Sequence, residues 1–155
     1  MNVRKGVIMD LKFTVQAKIK KPIDEVFDAI YNPKKLSKYF TTGGASGPLE
    51  EGTGVTWDFH DYPGFFPIYV IQTIKNQEII FEWASAVEAK RLRVDMKFES
   101  LGEDSTLVKI SESGWTNEDQ SSLDESYSNC QGWTQMICSL KTYLEYDKNL
   151  REFFY

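Results

Sequence analysis

An α+β fold, with a curved antiparallel sheet of about six strands against a long C-terminal helix and two short helices after the first strand, is predicted by three features of the sequence. The first is one long amphipathic stretch, Leu123 to Tyr146, in which Leu123, Tyr127, Cys130, Trp133, Ile137, Leu140 and Leu144 recur at helical spacing as an apolar stripe. The second is a series of alternating segments between Gly52 and Ser113, separated by short turns, as in an antiparallel meander with one solvated face. The third is that only the terminal stretch is long enough, at ~36 Å, to cover the sheet.

Each element follows from its own pattern. Leu11 to Lys20 alternates Leu11, Phe13, Val15, Ala17 and Ile19 with Lys12, Thr14, Gln16, Lys18 and Lys20, a half-buried strand. Pro22 opens a helix near its first position, with Asp24 and Glu25 in the first turn and Ile23, Val26, Phe27 and Ile30 facing inward. Asn32-Pro33 ends it, and Lys34 to Phe40 reads as a second short helix. Thr41 to Pro48 is small and glycine-rich but lacks the Gly-Lys-Ser/Thr of a phosphate loop, so a mobile connection is expected, with a cavity lid as the alternative. Strands are then expected over Gly52–His60, Phe65–Ile74, Glu78–Trp83, Arg91–Glu99 and Thr106–Ser113, with turns at Tyr62-Pro63-Gly64, Asn76-Gln77, Ala86–Ala89 and Gly102–Asp104.

On the long helix Ser122 with Glu125 has the form of a capping box, and Asp124, Glu125, Ser128, Gln131 and Gln135 fall on the expected wet face. Gly132 interrupts it at a cost of roughly 1 kcal/mol against alanine, so it is expected where the helix closely approaches a neighbour.

A chain of 155 residues suggests a single domain, here 11–155, with 1–10 a poorly ordered N-terminal extension; Met9 is a possible natural start. Net charge is −5 with the signs interleaved and no basic tract, which argues against nucleic acid and membrane as partners. No signal peptide or transmembrane run occurs, and Cys130 and Cys138, ~12 Å apart along one helix, cannot form a disulfide there. A cytoplasmic protein, monomer or homodimer, is expected.

The stretch Ile19 to Ile30, with Lys21-Pro22-Ile23-Asp24-Glu25-Val26-Phe27, followed by Asn32-Pro33, Leu36 and Tyr39-Phe40, resembles the opening of START-like (Bet v 1-like, SRPBCC) domains. More narrowly it resembles the branch similar to the C-terminal domain of the activator of Hsp90 ATPase, although that branch ends its second short helix in a tryptophan where this chain has Tyr39-Phe40. Glu82-Trp83, Ser113-Gly114-Trp115 and Gly132-Trp133 are similar to further landmarks of the branch, and the resemblance spans Leu11 to Tyr146. It implies a helix-grip fold with a hydrophobic cavity between sheet and helix. It also implies either a binding role or a stress-response, co-chaperone-like role in activating a chaperone ATPase. The eukaryotic activators of the family carry an additional N-terminal domain to which nothing in this chain corresponds, and no chaperone-contact residue is carried over.

The candidate chemistry is sparse. His60 is the only histidine, which excludes a two-histidine metal site, and it is read as a surface or turn residue. Glu82 and Glu112 lie beside aromatic residues where burial would raise a pKa, but a salt-bridged or solvated acid is the expectation for each. Cys130 is read as core packing. No cofactor is expected. The cavity residues expected between sheet and helix are Trp57, Phe59, Phe66, Tyr69, Trp83, Met96, Phe98, Trp115, Trp133, Met136, Ile137 and Leu140, with Phe65 nearby and the Tyr69 and Tyr127 hydroxyls as polar contacts. Binding of an apolar or aromatic small molecule without catalysis is the first reading, a protein-interaction or chaperone-activating module the second. The third is a cyclase- or hydratase-like enzyme, which requires His60, Glu82 or Glu112 turned into the cavity. Phe153-Phe154-Tyr155 is an apolar tail, to be folded back onto the domain or placed against a partner.

Overall fold

The computed structural model describes residues 6–155 and consists of β1 (Asp10–Ile19), α1 (Ile23–Tyr31), α2 (Pro33–Leu36), β2 (Gly44–Ala45), β3 (Gly54–Phe59), β4 (Tyr62–Ile74), β5 (Glu78–Ala84), β6 (Arg91–Gly102), β7 (Ser105–Thr116) and α3 (Gln120–Tyr146). The strands form one seven-stranded antiparallel sheet in the order β1-β7-β6-β5-β4-β3-β2. This is the curved sheet, long C-terminal helix and pair of short helices that the sequence predicts. The first residues of the expected extension lie outside the described residues. Its last part is tied down: Met9 N–H donates to Asn117 Oδ1 at 2.8 Å, and Asn117 Nδ2 donates to the Val7 carbonyl.

Several boundaries differ from expectation. The second short helix ends at Leu36, and the chain from Ser37 to Phe40 continues as turns rather than as helix. The glycine-rich connection contributes a strand, because Gly44 and Ala45 pair with Asp58 and Trp57, and Gly43 lies so close to Asp58 that any side chain there would collide with it. The hairpin expected at Tyr62-Pro63-Gly64 turns earlier, at His60-Asp61, so that Phe59 pairs with Tyr62 and β4 starts there. The last strand continues through Ser113-Gly114-Trp115 to Thr116. Gly114 is a bulge: Leu11 pairs with Trp115 but Lys12 with Ser113. Its φ of +128° and the approach of Leu92 Cδ2 to 3.0 Å of a would-be Cβ leave room for glycine only. The extra residue shifts the alternation, so Glu112 and Trp115 both point inward.

Pro22 caps α1 rather than starting it, and Asn32 caps α2 by accepting from Lys34 N–H at 3.0 Å. α3 begins three residues before Leu123, and the capping box is not formed. Asp119 is the N-cap, its carboxylate accepting from Ser122 N–H at 2.8 Å, while Ser122 Oγ donates to Glu88 and Glu125 is drawn inward. α3 lies against β1 and β7, where Met136, Ile137 and Leu140 are buried with Val108, Ile110, Val94 and Met96. The C-terminal half of the helix therefore encloses a packed core. A second layer, α1 and α2 with Phe27, Ile30, Leu36 and Tyr39, closes that core at its other side; Phe27 meets Phe98 edge to face and Tyr39 stacks on Tyr143. No helix among the described residues is long and apolar enough to cross a membrane.

Candidate functional site

The N-terminal half of α3 stands away from β3, β4 and β5, and the space beneath it is a cavity of about 660 Å³. Phe59, Tyr62 and Phe66 from the β3–β4 hairpin and Trp83 from β5 form one wall, while Phe40 and Trp133 lie deeper. The opposite wall is the helix face carrying Asp124, Glu125, Ser128, Asn129, Gly132 and Gln135, and the tail adds Arg151 and Tyr155. The rings make one connected aromatic set: Phe40 meets Trp57, Phe59 and Trp133, and Trp83 meets Trp133 at 5.5 Å between centroids.

Two buried carboxylates organise the site, Glu112 behind the indoles and Glu125 on the helix wall. Glu112 is fully buried on β7 and accepts from Trp83 Nε1 at 2.6 Å, Trp133 Nε1 at 3.0 Å and Asn129 Nδ2 at 3.1 Å. It has no cationic partner among the described residues and is fully buried, so the expectation of a salt-bridged or solvated acid does not hold. Loss of water around the carboxyl, opposed by these three N–H donors and reinforced by nearby Glu125, raises its pKa to about 7. Glu125 accepts from Trp115 Nε1 at 2.8 Å, Ser85 Oγ at 2.6 Å and Ala86 N–H at 2.7 Å, linking α3 to the β5–β6 connection. Because the indole N–H groups of Trp83 and Trp133 are turned onto Glu112, these rings offer the cavity carbon surface rather than donors.

Of the residues expected to line a cavity, Phe59, Phe66, Trp83 and Trp133 do so. Trp57, Met96, Phe98, Met136, Ile137 and Leu140 are buried in the packed core, and Trp115 is buried against Phe13. Phe65 and Tyr69 are on the outer face of the sheet, Tyr69 beneath the Arg91 guanidinium at 3.7 Å. Tyr127 is 65% exposed, because the inward face of the helix's first half is Ser122, Glu125, Ser126 and Asn129 rather than the Leu123–Tyr127–Cys130 stripe. Glu125 and Gln135, placed on the wet face by the stripe, are buried. Extending the spacing backward from Trp133, Met136 and Leu140 finds this polar inner face; it was hidden because the residues on it are hydrophilic. Gly132 is not at a close approach: a Cβ there meets nothing within 4 Å, and the residue borders the cavity.

His60 lies in the β3–β4 turn with Nδ1 3.1 Å from Glu152, away from the cavity, and Glu82 pairs with Arg93 and Tyr69 on the sheet. Glu112 points inward but is sealed behind the indoles and does not line the cavity. Both cysteines are free. Among the described residues no group of His, Cys, Asp or Glu side chains is placed to hold a metal ion.

The tail folds back. After Asp147, whose left-handed conformation ends α3, Arg151 is buried and donates from both terminal nitrogens to Asp61 at 2.5 and 2.7 Å. Its guanidinium lies 5.5 Å from the Phe59 ring centre and 5.0 Å from that of Tyr155. That bidentate bond holds the Asp61 carboxyl below the usual carboxylate range.

A sheet gripping one long helix, with an aromatic cavity under that helix's first half, is the architecture of the helix-grip, START-like domains. The chain belongs to the Activator of Hsp90 ATPase homolog 1-like protein family, whose model matches residues 20–145. Among solved structures it is similar to the SSP2350 protein of Staphylococcus saprophyticus, at 23% identity and a TM-score of 0.76 over 91% of this chain and 96% of that one. It is also similar to the Aha1 dimer of Colwellia psychrerythraea, at 20% identity and 0.74 over 90% and 99%. A third similar structure is DynU16, a putative protein of the dynemicin biosynthetic locus, at 25% identity and 0.76; this chain covers 49% of that one, and 90% of its own length is matched. No curated protein sequence matches the chain.

Proposed function

We propose that the chain binds an aromatic or otherwise apolar small molecule in the cavity beneath the first half of α3, without transforming it. The observation that carries this reading is the pair of indoles, Trp83 and Trp133, locked by their N–H groups onto buried Glu112 beside an open space. A wall already fixed in place loses little side-chain entropy when a ligand stacks on it. The volume falls within the range of small-molecule sites, roughly 300–1,000 Å³. A binding rather than catalytic role is supported by the positions of the three groups an enzyme reading requires: Glu112 is sealed from the cavity, His60 is outside it and Glu82 is on the sheet away from it, while the lining acid Glu125 is engaged by Trp115, Ser85 and Ala86. The residues proposed to touch the ligand are Phe40, Phe59, Phe66, Trp83, Trp133 and Tyr155.

The test is a titration with N-phenyl-1-naphthylamine, a neutral fluorophore, followed through its own emission and through quenching of the tryptophans. Saturable binding is expected, and it should be abolished in Gly132→Trp, which projects an indole into the cavity while leaving the far-ultraviolet circular dichroism unchanged. Lack of saturable binding, or equal binding by the blocked variant, would refute the site.

A second reading, activation of a chaperone ATPase, is favoured by the description of the matching family. It is supported also by Phe153, which is 99% exposed at the tail and is available to a protein partner. An ATPase assay with the Hsp90 of the same host decides it: neither stimulation nor co-sedimentation would leave small-molecule binding alone.

A further inference from the structure

We propose, resting on the binding reading above, that the molecule taken by this cavity is an organic cation with a flat aromatic body. The sign of the cavity's charge is the first ground. Its lining includes two acids, Asp124 and Glu125, and one base, Arg151, whose charge is already matched by the bidentate bond to Asp61. None of the ion pairs among the described residues involves Asp124 or Glu125. Asp124 accepts only from the neutral Gln120 amide, at 2.8 Å, and the partners of Glu125 are likewise neutral. In a space partly removed from water such an excess of negative groups attracts cations and repels anions more strongly than it would on the open surface.

The aromatic wall is the second ground. Trp83 and Trp133 have committed their N–H groups to Glu112, so the positive edge of each indole is neutralised behind the wall. A ring face carries the negative part of the aromatic quadrupole and favours a cation, with tryptophan the strongest of the side chains in this respect. The third ground is that the same cavity already accommodates a cation of the chain's own. Arg151, buried and planar, rests against Phe59 and Tyr155, showing that the rim accepts a flat delocalised positive group on its rings. Between Trp83, Trp133 and the acidic helix face there is room for another, and no basic residue among the described residues fills it. A cationic heteroaromatic would stack on the indoles and direct its charge toward Asp124 and Glu125. An anionic ligand would meet those carboxylates, with the one guanidinium at the rim already engaged.

The experiment compares three probes of nearly the same shape in displacing N-phenyl-1-naphthylamine from the full chain: 1-methylquinolinium, 1-methylnaphthalene and 1-naphthoate. The cation is expected to displace the fluorophore at about a tenth of the concentration of its neutral isostere, the scale of a partly desolvated cation–π contact, and the anion to be the weakest. In Asp124→Asn, an exposed position, the cation's advantage over its neutral isostere, both measured against the variant's own affinity for the fluorophore, should shrink severalfold. Equal displacement by cation and isostere, a stronger anion, or an advantage untouched by Asp124→Asn would overturn this inference and leave aromatic binding standing. Failure of the fluorophore itself to bind would overturn both.

Discussion

Glu112 accepts three N–H hydrogen bonds, faces no cation among the described residues and has its pKa raised by burial to about 7 from an ordinary 4.5. The sign of its effect on stability follows. Between those two values the native protein holds a proton that the unfolded chain has released, so stability falls as pH rises through this window. The favourable contribution is complete below the unfolded value and gone above the folded one, a span of about 3 kcal/mol at most. Glu112→Gln removes the titration. It also turns an amide N–H₂ toward an indole donor, leaving a buried hydrogen bond unmade at a cost of roughly 1–3 kcal/mol at every pH. Urea unfolding of both forms should therefore show the wild type ahead by most at pH 5, with the gap narrowing by pH 8. A gap that widens with pH would mean that the carboxylate is better stabilised than its burial implies. The place of Glu112 beside aromatic residues, where burial raises a pKa, was legible in the sequence; its full burial without a cation among the described residues was not, because the indoles that bind it come from β5 and α3.

α3 illustrates how far periodicity carries at the scale of an element. Its existence and length follow from Trp133, Ile137 and Leu140, all of which are buried. Its orientation over the first three turns does not, because Ser122, Glu125, Ser126 and Asn129 face inward to serve a polar, partly open space, and a hydrophobic stripe cannot reveal such a face. The two glycines that flank the site have opposite reasons for being there, and substitution separates them. At Gly132 a methyl group meets nothing, so Gly132→Ala should raise stability by about 1 kcal/mol through helix propensity alone. At Gly114 the φ of +128° and the nearness of Leu92 make alanine destabilising by roughly 1–3 kcal/mol, and the β7 bulge that turns Trp115 inward should suffer first. Thermal unfolding of the two alanine variants in parallel checks both signs; a stabilised Gly114→Ala would mean the bulge is unstrained.

At the scale of the whole molecule, the meander and its covering helix were readable because alternation and short turns leave few other arrangements. The cavity's extent was less readable. Large residues from Met136 onward pack against β1 and β7 and fill part of the space the sequence suggested, while the open part is completed by a tail whose Arg151 is ninety positions away from its anchor at Asp61. That anchor gives the last prediction. Asp61→Ala leaves the Arg151 guanidinium buried without its partner, and breaking a buried ion pair from one side costs about 3 kcal/mol. Relief comes if the tail swings out, taking Arg151 and Tyr155 with it and removing one wall of the cavity. The variant should then have a lowered Tm and bind N-phenyl-1-naphthylamine severalfold more weakly, although none of the β-sheet or helix aromatics has changed. Saturating probe should raise the wild-type Tm by roughly 5–10 °C at a hundredfold excess over Kd, from a linkage term of about 2.7 kcal/mol in a domain of this size. In Asp61→Ala at the same probe concentration the rise should be smaller, since the ratio of probe to Kd has fallen. If instead the variant binds as tightly as the wild type, the tail is a structural fastening only, and the cavity ends at Phe59.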